Sequence, residues 1–481
     1  MKNPFHFFLF ILGISCFLLS ACSVGKPYVK QNLNLPDSFR YQAENIDSIH
    51  TGSVEWKDFF SDAILKTLID SAIVNNFDMR TAIKNIQTAK QILLQSKAAY
   101  GPDINLDIAQ YSKLFYSEHS NSNPSSNYYG DRTAPSSMFI NKIQHASGIN
   151  LSWELDIWGR IKQEKEASLA EYLQSDEVRK AVQTQLVADI AQGYYNLLGL
   201  DAQLKVAETN QRLNDSTLKI IELQYEAGEV TSLAREQTEA QKLIAEALIP
   251  QLEQEIAVQE NALLFLTGKM PGEITRQAWV VDFDLEDSLS VGVPLQLVSY
   301  RPDVHTAELA LRAANARIGV AQSYHYPSLS INIAGGLDAM LAENWFNIPG
   351  ALFGTITGGI TQPLFNRRKL KTNYELAKLD RDKAEIDFQK SVFLAVNDVS
   401  NALVSLQKLK EQYIIAEKRV DVSRLAVKHA SMLFKSGMAN YLEVLNAQSN
   451  SLESELDLVG LKLDRLNARV DLYRSLGGGW K

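Results

Sequence analysis

The sequence predicts a mainly α-helical protein with a smaller β part, built as two copies of one plan. Three observations predict it: an internal duplication, two very long helical stretches free of proline, and four strand-like segments at matching points of the two copies, three of alternating polarity and the fourth, 352–364, rich in Gly and Thr and less clear.

The chain opens on Lys2, continues through an apolar run from Phe7 to Leu19, and reaches Leu19-Ser20-Ala21-Cys22. This is the layout of a secretory signal, and the run is too short to cross a bilayer comfortably. A leucine and two small residues before a cysteine resemble the bacterial lipoprotein signal. That resemblance makes residues 1–21 a signal peptide and Cys22 the acylated (palmitate-bearing) first residue, while Ser23 leaves delivery to the outer membrane open. Cys16 leaves with the signal, so no intramolecular disulfide is available and packing alone holds the fold. The formal charge of −8 becomes −9 without Lys2, which gives no footprint for nucleic acid.

The duplication is read from ordered matches. Phe77-Asp78-Met79-Arg80-Thr81-Ala82 is echoed by Pro302-Asp303-Val304-His305-Thr306-Ala307, an offset of 225 that also carries Pro102 onto Pro327. Tyr225-Glu226-Ala227-Gly228 is echoed by Phe434-Lys435-Ser436-Gly437 at an offset of 209. The first copy is therefore longer by 16 residues, and most of the excess falls in 115–147, where Ser, Asn and Pro crowd together as in a long surface loop. The copies span 22–267 and 301–481, with 268–300 as the linker between them.

Strands are expected over about 102–112 and 147–158, and again over 327–337 and 352–364. Ile104, Leu106 and Ile108 alternate with Asn105 and Asp107; Ile149, Leu151, Trp153, Leu155 and Ile157 alternate with Asn150, Ser152, Glu154 and Asp156; Leu329, Ile331 and Ile333 alternate with Ser330 and Asn332. One apolar and one polar face suit a membrane barrel with a wet lumen, although a soluble sheet with one solvated face carries the same pattern. Four strands cannot close a barrel around a pore, so several chains have to contribute.

Helices are expected over 77–100, 160–226 and 231–267, and over 301–325, 367–435 and 440–476. The stretches 160–226 and 367–435 would each be about 100 Å long. In the second, Val392, Val399, Leu406, Tyr413, Val420, Val427 and Phe434 recur every seven residues, followed at three residues by Ala395, Ala402, Leu409, Ala416, Ser423 and Ala430. A large and a mostly small residue per heptad form the narrow seam of closely approaching helices. The first copy keeps a looser version through Ile190, Leu197, Leu204 and Leu218, with Gln211 interrupting; an ordinary bundle core would read alike. Gly228 and Gly437 follow the long helices as left-handed caps, so each copy turns back as an antiparallel hairpin.

No catalytic constellation stands out: seven histidines lack metal-ligand spacing, and neither a phosphate loop nor a nucleophile elbow occurs. His429, Met432 and Met438 suggest a metal reading, yet their helical spacing favours packing or solvation, so no metal or cofactor is assigned. A lipid-anchored coiled-coil scaffold explains the signal and the long helices but leaves the four strands unexplained, and a secreted enzyme lacks a reactive cluster.

Trp153-Glu154-Leu155-Asp156-Ile157-Trp158-Gly159-Arg160, Pro363-Leu364-Phe365-Asn366 and Tyr441-Leu442-Glu443-Val444-Leu445-Asn446-Ala447-Gln448 complete the pattern. Together with the signal and the duplication, they resemble the outer membrane efflux protein family of the TolC and NodT type over nearly the whole mature chain. The resemblance implies a homotrimer in which twelve strands, four per protomer, close one transmembrane barrel and the hairpins continue it as an α-barrel through the periplasm. Such a channel is no enzyme; it passes small molecules from an inner-membrane transporter and a periplasmic adaptor protein to the exterior. The resemblance puts Leu442, Glu443 and Asn446 at the periplasmic entrance, where three Glu443 carboxylates around a threefold axis would repel one another and attract cations. Asn446 departs from the aspartate many members carry, which favours one acidic ring or a leucine plug; Glu443 could equally be a solvated helix residue. Gly228, Glu229 and Val230, with Gly437, Met438 and Ala439, resemble the segments that meet the adaptor, a role compatible with glycines that only cap.

Overall fold

The computed structural model describes residues 24–29, 52, 54–117, 139–276 and 300–481. Internal contacts divide the chain into two compact units, one of Met1–Val29, Lys90–Ala170 and Arg312–Asp382, the other of Lys30–Ala89, Glu171–Leu311 and Lys383–Lys481.

The elements run α1 (Trp56–Phe59), α2 (Ala63–Asn75), α3 (Phe77–Ala98), β1 (Asp103–Ser117), β2 (Phe139–Leu155), α4 (Arg160–Glu226) and α5 (Ser232–Leu266) in the first copy. The second copy gives α6 (Pro302–Ser323), β3 (Ser328–Ala339), β4 (Leu352–Thr361), α7 (Lys369–Lys435) and α8 (Tyr441–Ser475), with a short 3-10 turn at Ala342–Asn344. The duplication extends to element lengths: α3 and α6 have 22 residues each, α4 and α7 have 67, and α5 and α8 have 35.

In the first unit the strands form one antiparallel sheet in the order β1-β2-β3-β4, so β2 and β3 join the two copies side by side. The strand bounds differ from the sequence reading: β3 runs on to Ala339, β4 stops at Thr361 rather than 364, and β1 and β2 differ most. The segment 115–147 is less of a loop than its composition suggests, because Lys113 to Ser117 pair with Phe139 to Ile143 and lengthen both strands. At the other end β2 stops at Leu155 rather than 158. Asp156 is taken out of the wall because its carboxylate accepts the Ile161 and Lys162 amides, each at 2.9 Å, satisfying two orphan donors at the start of α4.

In the second unit the core forms around Tyr194, Leu197 and Leu198 of α4 and Tyr473 of α8. Trp56, Phe60, Leu65 and Ile69 pack into the same core, so α2, which the sequence reading omitted, is a core element. Asp62 caps α2 by accepting from Ile64 N (2.7 Å) and Leu65 N (2.8 Å), and Leu65, Leu68, Ile69 and Ala72 are its buried face. The α7 seam is buried at Val392, Ala395, Val399, Ala402, Ala416, Val420 and Phe434. Part of the segment read as a linker is locked in place: Arg276 pairs with Asp201 of α4 and Glu260 of α5. Those hydrogen bonds outlast the desolvation of Arg276 and raise its pKa.

Candidate functional site: a two-faced sheet and the hairpin tips

Register decides what the sheet can face. Ile104, Leu151, Ile333 and Ile356 lie opposite one another across all four strands, and across β2, β3 and β4 so do Trp153, Ile331 and Gly358, and Leu155, Leu329 and Ile360. The neighbouring rows, Asp103-Ser152-Asn332-Thr357 and Asn105-Asn150-Ala334-Thr355, point to the opposite face. The polar face is internally bonded: Ser152 Oγ donates to Asn332 Oδ1 at 2.8 Å, and Asn150 donates to Asp107. The apolar face is uncovered, with Ile104 65% and Ile356 79% exposed, which in water would be a large unburied patch.

Aromatic side chains mark both ends of the sheet. At the helix end Trp158 stacks on Tyr326 (5.0 Å) and donates its indole N–H to Pro327 O (2.6 Å), while Trp153 donates to Tyr100 O (2.9 Å). At the far end Tyr111, His145, Trp345 and Phe346 form a chain of ring contacts between 5.2 and 5.6 Å. Apolar wall, aromatic belts and polar opposite face are what a transmembrane barrel segment needs. Among the described residues no helix is long and apolar enough to cross a membrane.

At the hairpin tips Gly228 (φ 73°) and Gly437 (φ 74°) close the same cap twice. Gly228 N donates to Tyr225 O and Glu229 N to Gln224 O; Gly437 N donates to Phe434 O and Met438 N to Leu433 O. This is the Schellman arrangement, and a Cβ at either glycine would meet nothing within 4 Å, so the backbone angle and not crowding requires glycine. Glu229 and Met438 are exposed and Ala439 is half-buried. Val230 is only partly free, because it packs on the tip cluster of Ile221, Ala234, Phe434 and Val444.

Asn440 caps α8, accepting from Leu442 N at 2.7 Å. Val444 and Leu445 turn inward, leaving Leu442, Glu443 and Asn446 exposed within a sector of about 100° on the first turn and a half. Cys22 lies outside the described residues.

Two features of the tip region escaped the sequence reading. A buried polar layer crosses the hairpins: Gln448 donates to Thr217 Oγ1 (2.8 Å) and Asn214 donates to Asn210 Oδ1 (2.8 Å), with Gln448 and Asn214 each 1% exposed. Its signal in the sequence is a run of polar residues near the α4 seam, Asn210, Asn214 and Thr217, around the interrupting Gln211. Asp215 accepts from Lys242 at 2.8 Å and pairs with Lys219 at 2.9 Å; those two ammonium groups hold its carboxyl well down, at about 2. Between the tips Tyr441 donates to Gln237 Oε1 at 2.6 Å.

Comparison with known proteins agrees with this geometry. The family described as outer membrane efflux protein matches residues 68–269 and 293–478. The cation efflux system protein CusC of Escherichia coli K12 is 30% identical over 468 residues, covering 96% of this chain and 97% of CusC. The probable outer membrane lipoprotein SilC of Salmonella typhimurium is 27% identical over 484 residues, covering 98% and 99%. A crystal structure of CusC superposes with a TM-score of 0.80 at 27% identity, covering 95% of this chain and all of that one. An outer membrane channel of Neisseria gonorrhoeae, MtrE in its open state, shares the fold with a TM-score of 0.82 at 24% identity, covering 96% and 99%. With both copies of the repeat matched, a wall apolar on one face and hairpins capped alike, the chain belongs to the outer membrane efflux protein family and is an outer-membrane channel protein.

Proposed function

We propose that three copies of this chain form one tunnel that receives small molecules from an inner-membrane transporter through a periplasmic adaptor and releases them outside. The observation that carries the reading is the four-stranded sheet itself, two-faced and open at β1 and β4. Four strands cannot enclose a lumen, whereas twelve from three copies can. Passage through such a tunnel is passive, with energy supplied by the transporter.

The tips Gly228-Glu229-Val230 and Gly437-Met438-Ala439 meet the adaptor, and Leu442, Glu443 and Asn446 line the periplasmic entrance. The exposure of Gly228, Glu229, Gly437, Met438, Leu442, Glu443 and Asn446 supports both assignments, and adaptor crosslinking through single cysteines at Glu229 and Met438 tests the first. Cys22 carries the lipid anchor; the mass of the mature N-terminal peptide checks it, and an unmodified cysteine there would end that assignment. Relatives named for cation efflux and for toluene efflux are about equally similar to this chain, so cargo selection belongs to the transporter and adaptor. Electron microscopy of the full-length protein in mild detergent tests the whole: a threefold tube with a detergent belt is expected, and monomers without a belt would overturn it.

A further inference from the structure

The two strand-to-helix junctions, equivalent by repeat, differ in charge. In the first copy Gly159 (φ 76°) precedes α4, and Arg160 is neutralised by Glu154 at 2.9 Å and Glu164 at 3.3 Å. At the offset of 209, Arg368 stands in place of Gly159 and Lys369 in place of Arg160. Arg368 (φ 65°) and Arg367 (φ 43°) both hold the left-handed conformation that a side chain disfavours. Among the described residues no carboxylate pairs with Arg367, Arg368, Lys369 or Lys371, and 363–372 contains no acidic residue in a chain of net charge −8. The same loop carries Leu364 and Phe365 at 93% and 89% exposure, directly after Ile356 and Ile360 of the apolar wall. Gln362 donates to His325 O at 3.0 Å, which ties the loop to the end of the sheet where Trp158 and Tyr326 stack.

We infer that Pro363–Lys371, the loop after β4 together with the first residues of α7, is a docking surface for anionic phospholipid in the periplasm-facing leaflet of the outer membrane. Leu364 and Phe365 enter the acyl region, and Arg367, Arg368, Lys369 and Lys371 reach the headgroup phosphates. Apolar side chains beside a cluster of unpaired cations are complementary to such a lipid surface, and each cation near it adds about fivefold in affinity. The strained arginines are retained for that contact, since glycine would take both backbone angles without cost.

The test uses full-length protein in phosphatidylcholine vesicles containing brominated phosphatidylglycerol or brominated phosphatidylcholine, read by quenching of tryptophan fluorescence. The wild type should prefer phosphatidylglycerol by at least fivefold. In R367G/R368G, which keeps Lys369 and Lys371, the preference should drop by at least fivefold while the heat-resistant oligomer persists, and R367K/R368K should restore it. Equal quenching in the wild type, or a preference unchanged by both glycines, would overturn the inference. Loss of the oligomer with unchanged lipid preference would do the same, giving the cations to a second copy of the chain. A preference abolished by millimolar inorganic phosphate would mean a free-anion site instead, and no quenching by either lipid would remove the membrane placement on which the inference rests.

Discussion

Leu442 and Glu443 are held outward by what lies beneath them: Asn440 fixes the first turn of α8 and Val444 is buried in the tip cluster. Truncating Leu442 or neutralising Glu443 leaves that support intact, so Leu442→Ala and Glu443→Gln are expected to fold normally and raise single-channel conductance in planar bilayers. Unchanged conductance and ion selectivity in both would remove them from the entrance. Asp215 is a different kind of tip residue. Its folded carboxyl lies at about 2, below the ordinary carboxylate value, so its stabilising bonds to Lys242 and Lys219 are complete above about pH 4 and are lost as pH falls towards 2. Amide protection around Asp215 and Lys242, taken relative to the intrinsic exchange rate at each pH, should therefore fall over that range in the wild type and stay level in Asp215→Asn. Because the Asp215 side chain is about one-third open to solvent, salt should weaken the effect.

Helices α5 and α8 end against matching clamps. Asn76 donates to Leu266 O at 2.9 Å while its Oδ1 accepts from Asp78 and Met79 amides; at the offset of 225 Arg301 donates to Ser475 O at 3.1 Å and pairs with Asp303 and Asp398. Burial works against the Asp303 carboxylate, and its bonds to Arg301 more than reverse this, so its pKa is lowered. Loss of the neutral cap in Asn76→Ala should cost about 1 kcal/mol. Arg301→Ala leaves two carboxylates and a carbonyl without their donor and should cost about 2 kcal/mol or more. Thermal dissociation of the two variants checks the order; equal losses would mean that the arginine acts only as a cap. Neither clamp was legible, because both join residues more than 170 positions apart. The hairpins were legible, since heptads and cap glycines are local signals. Helix α2 was within reach through Asp62 and the spacing of Leu65, Leu68, Ile69 and Ala72. The ends of β1 and β2 were not, because Tyr111-Ser112-Lys113-Leu114-Phe115 lacks strict alternation and is fixed by cross-strand pairing.

For the whole molecule, the two faces of one sheet make opposite demands, and adjacent residues of β4 separate them. Ile356 belongs to the apolar row with Ile104, Leu151 and Ile333, and Thr357 to the polar row with Asp103, Ser152 and Asn332. An arginine on the lipid side of a barrel costs about 2–4 kcal/mol near the bilayer centre, whereas a lumenal arginine stays hydrated. Ile356→Arg should therefore reduce the folded oligomer in the outer-membrane fraction and lower the temperature at which it dissociates. Thr357→Arg should assemble normally and act on permeation, adding positive charge to each polar row and shifting single-channel selectivity towards anions. The contrast depends on which way each side chain faces and not on the residue introduced, because both variants carry the same arginine one position apart. Equal loss of oligomer in the two would mean that both faces are packed against protein. Normal assembly of both, with selectivity changed by Ile356→Arg instead, would mean that the apolar rows line the lumen and that the sheet is turned the other way round.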